Sequence, residues 1–380
     1  MPTARLLFLS SFCFSVHLAL LTYINSSMLG HFGNGSFVSA AYTIGSMLSF
    51  VMLFTAPRAV RHLGLVKTTI ATLLVSSALL LGLGTTIGIL PTIALFVLYF
   101  SLNSVIAYLF DLFVEHYSKV SNTGSTRGLY LTITNLGWIG APVLAGILST
   151  TFGFGRVYII GGGIVLLTMI IVALSQRGFV DKEYKRIDFR HGLARLRELP
   201  TIRRVVTLNF VLQFFFAWMV IYSPVFLRQA GFSIKEIGAI FSIMLIPYIL
   251  FQYPVGKLTD RFGEARLARL GLLIASLATL CFVAFGTTHS LVFYAAMLFL
   301  TRTGVSILEV CCDSYFFRQV TEADASLVSL YRAMLPLAYI IGPLSGALVL
   351  YFFSYRALFM ILAGLLLLAA LYSNRLKRKY

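Results

Sequence analysis

Charge is scarce in this sequence, and negative charge scarcest of all. Of 380 residues 11% are charged, with 13 Asp and Glu against 30 Lys and Arg. A soluble domain carries roughly 25% charged residues, so a water-soluble globule of this length would lack the charge to cover its surface. Cysteine is rare too. Cys13, Cys281, Cys311 and Cys312 show neither thiol-redox nor metal-ligand spacing, and no metal site is expected. There is no Gly-x4-Gly-Lys-Ser/Thr loop, which excludes direct drive by ATP, and no other cofactor is implied. No run alternates with period two, so a membrane β-barrel is unsupported.

Apolar residues are abundant: they make up 59% of the chain and include 33 Phe, alongside 30 Gly. Such a composition suits lipid, where backbone groups must be satisfied internally, and Gly is commoner in membrane helices than in soluble ones. A spanning helix needs about 20 mostly apolar residues. Twelve such runs lie near 6–27, 36–57, 68–89, 91–117, 128–152, 157–175, 202–227, 236–256, 267–286, 290–317, 326–352 and 355–373, numbered here as spans 1 to 12. The expected class is therefore an all-α polytopic membrane protein. The run from Leu6 is read as span 1 and not as a signal peptide, because residues 25–27 offer no small-residue cleavage box. The longest polar stretch, 176–201, separates two six-span halves, 1–175 and 202–380. Within it His191 to Leu199 is patterned as a short amphipathic surface helix.

The net charge of +17 points to orientation and not to nucleic acid, because Lys and Arg sit in short segments between apolar runs. With the N-terminus in the cytoplasm, one set of segments holds Arg5, Arg58, Arg61, Lys67, Lys119, Arg127, the 176–201 stretch, Lys257, Arg261, Arg266, Arg269, Arg318, Arg332 and the basic tail. The other set holds Arg156, Arg228, Lys235 and Arg356. The positive-inside rule then puts both termini in the cytoplasm.

The halves read as diverged copies. Asp111-x3-Glu115-x-Tyr117 matches Glu309-x3-Asp313-x-Tyr315 at an offset of 198. Tyr130 and Pro142 match Tyr331 and Pro343 at an offset of 201. Two six-helix halves in parallel repeat are the plan of one class of secondary transporter.

Gly256-Lys257-Leu258-Thr259-Asp260-Arg261-Phe262-Gly263-Glu264-Ala265-Arg266, between spans 8 and 9, resembles the signature loop of the major facilitator superfamily. Pro57 to Lys67 occupies the equivalent place in the first half, but it is two residues shorter and has no acid, which leaves its gating role open. Gly137-Trp138-Ile139-Gly140-Ala141-Pro142 with Gly146 resembles the span 5 signature of the family's antiporters. Plain helix packing is the competing reading. The resemblance implies the twelve-helix major facilitator fold, alternating access, and a cavity lined by spans 1, 4, 7 and 10. It implies gating at Gly256, Asp260, Arg261 and Gly263, with Asp260 expected to face the N-terminal end of a neighbouring helix.

Ionisable residues inside the membrane are functional candidates by default. Asp111 and Glu115 share one face of span 4, and Glu309 with Asp313 repeat this on span 10. Glu115 and Asp313 lie near the cytoplasmic ends, where pairing with Arg127 or Arg318 would contribute to a gate latch. Asp111 and Glu309 lie one turn deeper, each either a proton carrier or half of a structural ion pair. Arg302 falls about 16 Å deeper than Asp313, near the midplane, and needs an anionic partner: a carboxylate such as Asp111, or substrate. His17 lies at similar depth and is either a packing residue or a substrate contact. Asn25, Asn103, Gln213, Trp218 and Tyr222 are on the same set of spans.

Together these features describe a secondary transporter, not an enzyme, working as a monomer in the cytoplasmic membrane. It moves a small molecule, with proton-coupled efflux set against uptake of a sugar or anionic metabolite. Its partners are the substrate, the bilayer and protons, not nucleic acid. A membrane-embedded lipid-modifying enzyme would need an Asp-rich Mg²⁺ cluster. A non-transporting sensor would need a soluble domain larger than the 176–201 stretch.

Overall fold

A computed structural model describes residues 2–30, 32, 35–86, 88–118, 123–138, 141–181, 196–232, 234–284, 290–320 and 325–374. Among these there is no strand, and the helices run α1 (Pro2–Gly30), α2 (Gly35–Leu63), α3 (Leu65–Thr85), α4 (Ile89–Tyr117), α5 (Thr123–Leu136), α6 (Ala141–Phe152) and α7 (Phe154–Ser175), then α8 (Pro200–Gln229), α9 (Ile234–Phe262), α10 (Glu264–Ala284), α11 (Leu291–Phe317), α12 (Ala325–Arg332), α13 (Met334–Phe352) and α14 (Tyr355–Ser373). Residues 182–195, hence most of the expected surface helix at His191 to Leu199, lie outside the described residues, as do Ile139 and Gly140.

Among the described residues, eleven stretches are long and apolar enough to cross a membrane, α12 and α13 together supplying one of them. Leu90, Val292 and Leu344 are 77%, 76% and 69% exposed. Large apolar side chains so widely exposed would be a liability in water, but lipid is as apolar as they are. The remaining expected span, 128–152, is not one continuous helix. It is divided into α5, of 14 residues, and α6, of 12. The cause is local. The Gly137 and Trp138 amides bond back to Thr134 and Asn135 at 3.2 and 3.0 Å, a tight turn that ends α5. Gly137 packs on the backbone of α1, where a Cβ would lie 3.0 Å from the Val16 nitrogen. Pro142 then sits in the first turn of α6, where its missing N–H is not needed. Span 11 is interrupted similarly at Ala333, with Pro336 in the first turn of α13.

The chain forms two compact units. The first comprises Met1–Tyr117, Ile133–Ala194 and Val320–Leu337; the second comprises Ser118–Thr132, Arg195–Gln319 and Ala338–Tyr380. In the first, α2 packs on α4, α3 on α4, and α3 on α7; in the second, α9 packs on α11, α10 on α11, and α10 on α14. Span for span these are the same neighbours, so the repeat seen as offsets recurs as packing. Small residues set the close contacts: a Cβ on Gly271 would lie 2.5 Å from the Gly304 carbonyl oxygen, which brings α10 and α11 together backbone to backbone.

Candidate functional site

In the second unit α9 and α11 face each other with two polar rungs. Gln252 of α9 donates to Glu309 of α11 at 2.7 Å. One turn before Gln252, Tyr248 lies close enough to Arg302 and Glu309 for both charges to act on it. Arg302 is 3% exposed. Its guanidinium carbon lies 5.4 and 5.3 Å from the ring centroids of Phe215 and Phe216 on α8, and Tyr339 of α13 is close enough to feel its charge. Its Nε has no hydrogen-bond partner, and no carboxylate bonds Arg302 among the described residues. Ring faces hold the cation without neutralising it. Sequence reasoning placed Arg302 and Glu309 but missed Gln252, Tyr248, Phe215, Phe216 and Tyr339. An amide isolated in the apolar run of span 8 was the available signal for Gln252.

Of the other residues expected at a substrate site on α8, Gln213 donates to Asn209 at 3.2 Å. The buried Trp218 indole donates to the Gly342 carbonyl at 2.8 Å. The Tyr222 hydroxyl donates to the Pro343 carbonyl at 3.3 Å, its ring filling the space beside Gly346. Trp218 and Tyr222 therefore lean on the Gly-Pro segment of α13.

In the first unit His17 is fully buried. A carbonyl can only accept, so Nδ1 carries the proton in its 2.6 Å bond to Phe14. The other nitrogen, Nε2, is then free to accept from the Tyr99 hydroxyl at 3.2 Å. The Asn103 amide also reaches Tyr99, and its Oδ1 is buried without a partner. Asn25 accepts from Tyr158 at 2.8 Å. Asp111 is wholly buried and held by both oxygens: Arg332 of α12 donates through Nη2 at 2.7 Å and through Nε. Its partner is thus Arg332 and not Arg302, a pairing between residues so distant in sequence that spacing gave no hint of it.

The α9–α10 connection is anchored by Asp260. Its oxygens accept from the Gly124 and Ser125 amides at the start of α5, at 2.9 and 2.8 Å, and from Arg318 at 2.9 Å. An anion therefore sits on the positive end of α5. Arg318 also bonds Glu264 at 3.0 Å, so this cation serves the loop carboxylates and not Glu115 or Asp313. Gly256 and Gly128 are in contact, and any Cβ on Gly124 would collide with Thr259 and Gly256. Gly263, at φ 81°, makes the left-handed turn between α9 and α10. Arg261 is exposed, its guanidinium 5.8 Å from the Phe262 ring. Arg127 is fully buried with its guanidinium 3.2 Å over the Phe317 ring, one turn beyond the buried Asp313. Glu115 is half-buried at the end of α4.

The equivalent first-half connection, which has no acid of its own, receives one from elsewhere. Asp181, beyond α7, accepts from the Leu65 amide at 2.8 Å and so caps α3. Tyr117 donating to Gln176 at 2.8 Å, and Phe179 packed on Phe113 and His116 at 5.2 and 4.4 Å, fasten the preceding segment to α4.

Residues 206–378 match the family model of the Major Facilitator Superfamily. Multidrug resistance protein MdtG of Salmonella paratyphi C is 23% identical over 246 residues, 63% of this chain and 60% of that protein. The chain therefore covers less than two thirds of that relative. The fold is similar to that of the human organic anion transporter MFSD10, with a TM-score of 0.82, 16% identity, and coverage of 98% of this chain and 100% of that one. It is also similar to the E. coli fucose:proton symporter FucP, with a TM-score of 0.78, 16% identity, and coverage of 100% and 99%.

Proposed function

We propose that this member of the major facilitator superfamily is a secondary transporter that exports a small organic molecule through the cytoplasmic membrane by alternating access, in exchange for protons. The observation that carries the reading is Arg302, a permanent charge buried near the expected midplane with no carboxylate bonded to it. Such a charge costs about 2.5–3.5 kcal/mol even on the lenient insertion scale, and a substrate contact is what offsets it. Glu309 is the proton site in this scheme. It lies on the same face of α11, and its bond to the neutral Gln252 amide can survive protonation with the donor and acceptor roles rearranged. Asp111, gripped by Arg332, acts as a structural lock. Asp260 holds the cytoplasmic gate, assisted by Glu115, Arg127 and Asp313. Export is favoured by the multidrug resistance relative, and proton coupling by the name of the fucose:proton symporter. Uptake of a sugar or anionic metabolite is the rival.

The test is flux in proteoliposomes with and without an imposed proton gradient, using organic anions, organic cations and sugars. Gradient-dependent movement of at least one class, lost in Arg302→Ala, is expected. No gradient-driven flux of any class, or full flux in that variant, would sink the reading.

A further inference from the structure

The surroundings of Arg302 narrow the chemistry of what it meets. The unpartnered atom is Nε. An arginine with Nε unpartnered can offer the edge formed by Nε–H and one Nη–H, two parallel donors spaced to fit the two oxygens of a carboxylate. The guanidinium lies 5.4 and 5.3 Å from the ring centroids of Phe215 and Phe216, and Tyr248 and Tyr339 are close enough to feel its charge. Four aromatic side chains favour a flat ring that can stack or meet them edge to face. Two turns along the same face of α11 stands Glu309, near enough that Tyr248 senses both charges. A ligand with two negative charges would have one neutralised by Arg302 and the other repelled by Glu309.

We infer that Arg302 and its ring of Phe215, Phe216, Tyr248 and Tyr339 form a binding site for aromatic monocarboxylates. The inference rests on the transporter reading and deepens it by naming a substrate class. A doubly charged phosphate ester and an uncharged aromatic of the same size are excluded from tight binding, the first by Glu309 and the second by loss of the paired donors.

The test is calorimetric titration of the full-length protein in detergent with 2-naphthoate, 2-naphthalenemethanol and 2-naphthyl phosphate at pH 8. Saturable binding of 2-naphthoate is expected, at least tenfold tighter than either analogue. Arg302→Lys, which keeps the charge but loses the fork, weakens it about tenfold, and Arg302→Ala abolishes it. Should Arg302→Ala fail to fold, Phe216→Leu provides the second reading: it keeps the charge and weakens 2-naphthoate severalfold. Equal binding of the alcohol, no binding of 2-naphthoate to the wild type, or full binding in Arg302→Lys and Phe216→Leu alike overturns the inference. Flux of labelled 2-naphthoate in proteoliposomes separates the two claims. Arg302-dependent binding without flux leaves the site standing and removes the transporter reading. Gradient-driven flux of other solutes without 2-naphthoate binding does the reverse.

Discussion

Arg332 grips Asp111 through Nε and Nη2 although 221 positions separate them in the sequence. The carboxylate is fully buried and the arginine side chain 24% exposed, so the two members are not equivalent. Arg332→Ala strands a buried charge without this partner and should cost about 3–5 kcal/mol. Asp111→Ala leaves an arginine that can turn toward water and should cost less. The thermal midpoints of the two purified variants decide it, and equal losses would remove the asymmetry.

Asp260 gathers two backbone amides and Arg318. In Asp260→Asn one oxygen becomes an NH₂, which cannot accept from an amide, and the charge facing Arg318 disappears. Arg318 keeps Glu264, so the fold should survive. Turnover should fall about tenfold or more while substrate affinity stays within twofold. Unchanged turnover in proteoliposomes would take the gating role away from Asp260.

Asp181 caps α3 from outside its own loop. Removing a capping carboxylate typically costs about 0.5–2 kcal/mol, and Asp181→Ala should lower the thermal midpoint accordingly. Placing the acid at Gly64 in that variant should restore it only in part, because Gly64 sits at φ 84°, a left-handed conformation that strains any side chain. If Asp181→Ala melts like the wild type, the cap does not contribute.

Orientation is checked with single cysteines in a variant lacking the native four. Gly178→Cys should be protected from an impermeant thiol reagent applied to intact cells, and Phe353→Cys should be labelled. Both positions are exposed. Labelling of Gly178→Cys from outside would reverse the proposed topology.

The spans were legible because lipid imposes a one-dimensional rule: about 20 apolar residues in a row. The break in span 5 was half legible. Gly137 and Pro142 were visible as a motif, but their effect depends on α1, where the Ser15 and Val16 backbone comes close enough to exclude a side chain. Trp218 and Tyr222 show the opposite case. As polar-tipped aromatics on span 7 they suggested substrate contacts, yet the backbone carbonyls of Gly342 and Pro343 take up their donors.

The sequence alone determined the helical class, the twofold repeat, the positions of the intramembrane charges and the acid-bearing loop between spans 8 and 9. Each is written in spacing along one chain, because hydropathy, helical periodicity and offset are local quantities. Only the tertiary structure decided which charges meet. It paired Asp111 with Arg332, directed Arg318 to Asp260 and Glu264, gave the first-half loop a carboxylate from Asp181, and left Arg302 among aromatic rings. A buried charge is neutralised only by an opposite charge that packing brings close to it, and helix packing can bring that partner from any part of the chain, or, at Arg302, bring none among the described residues.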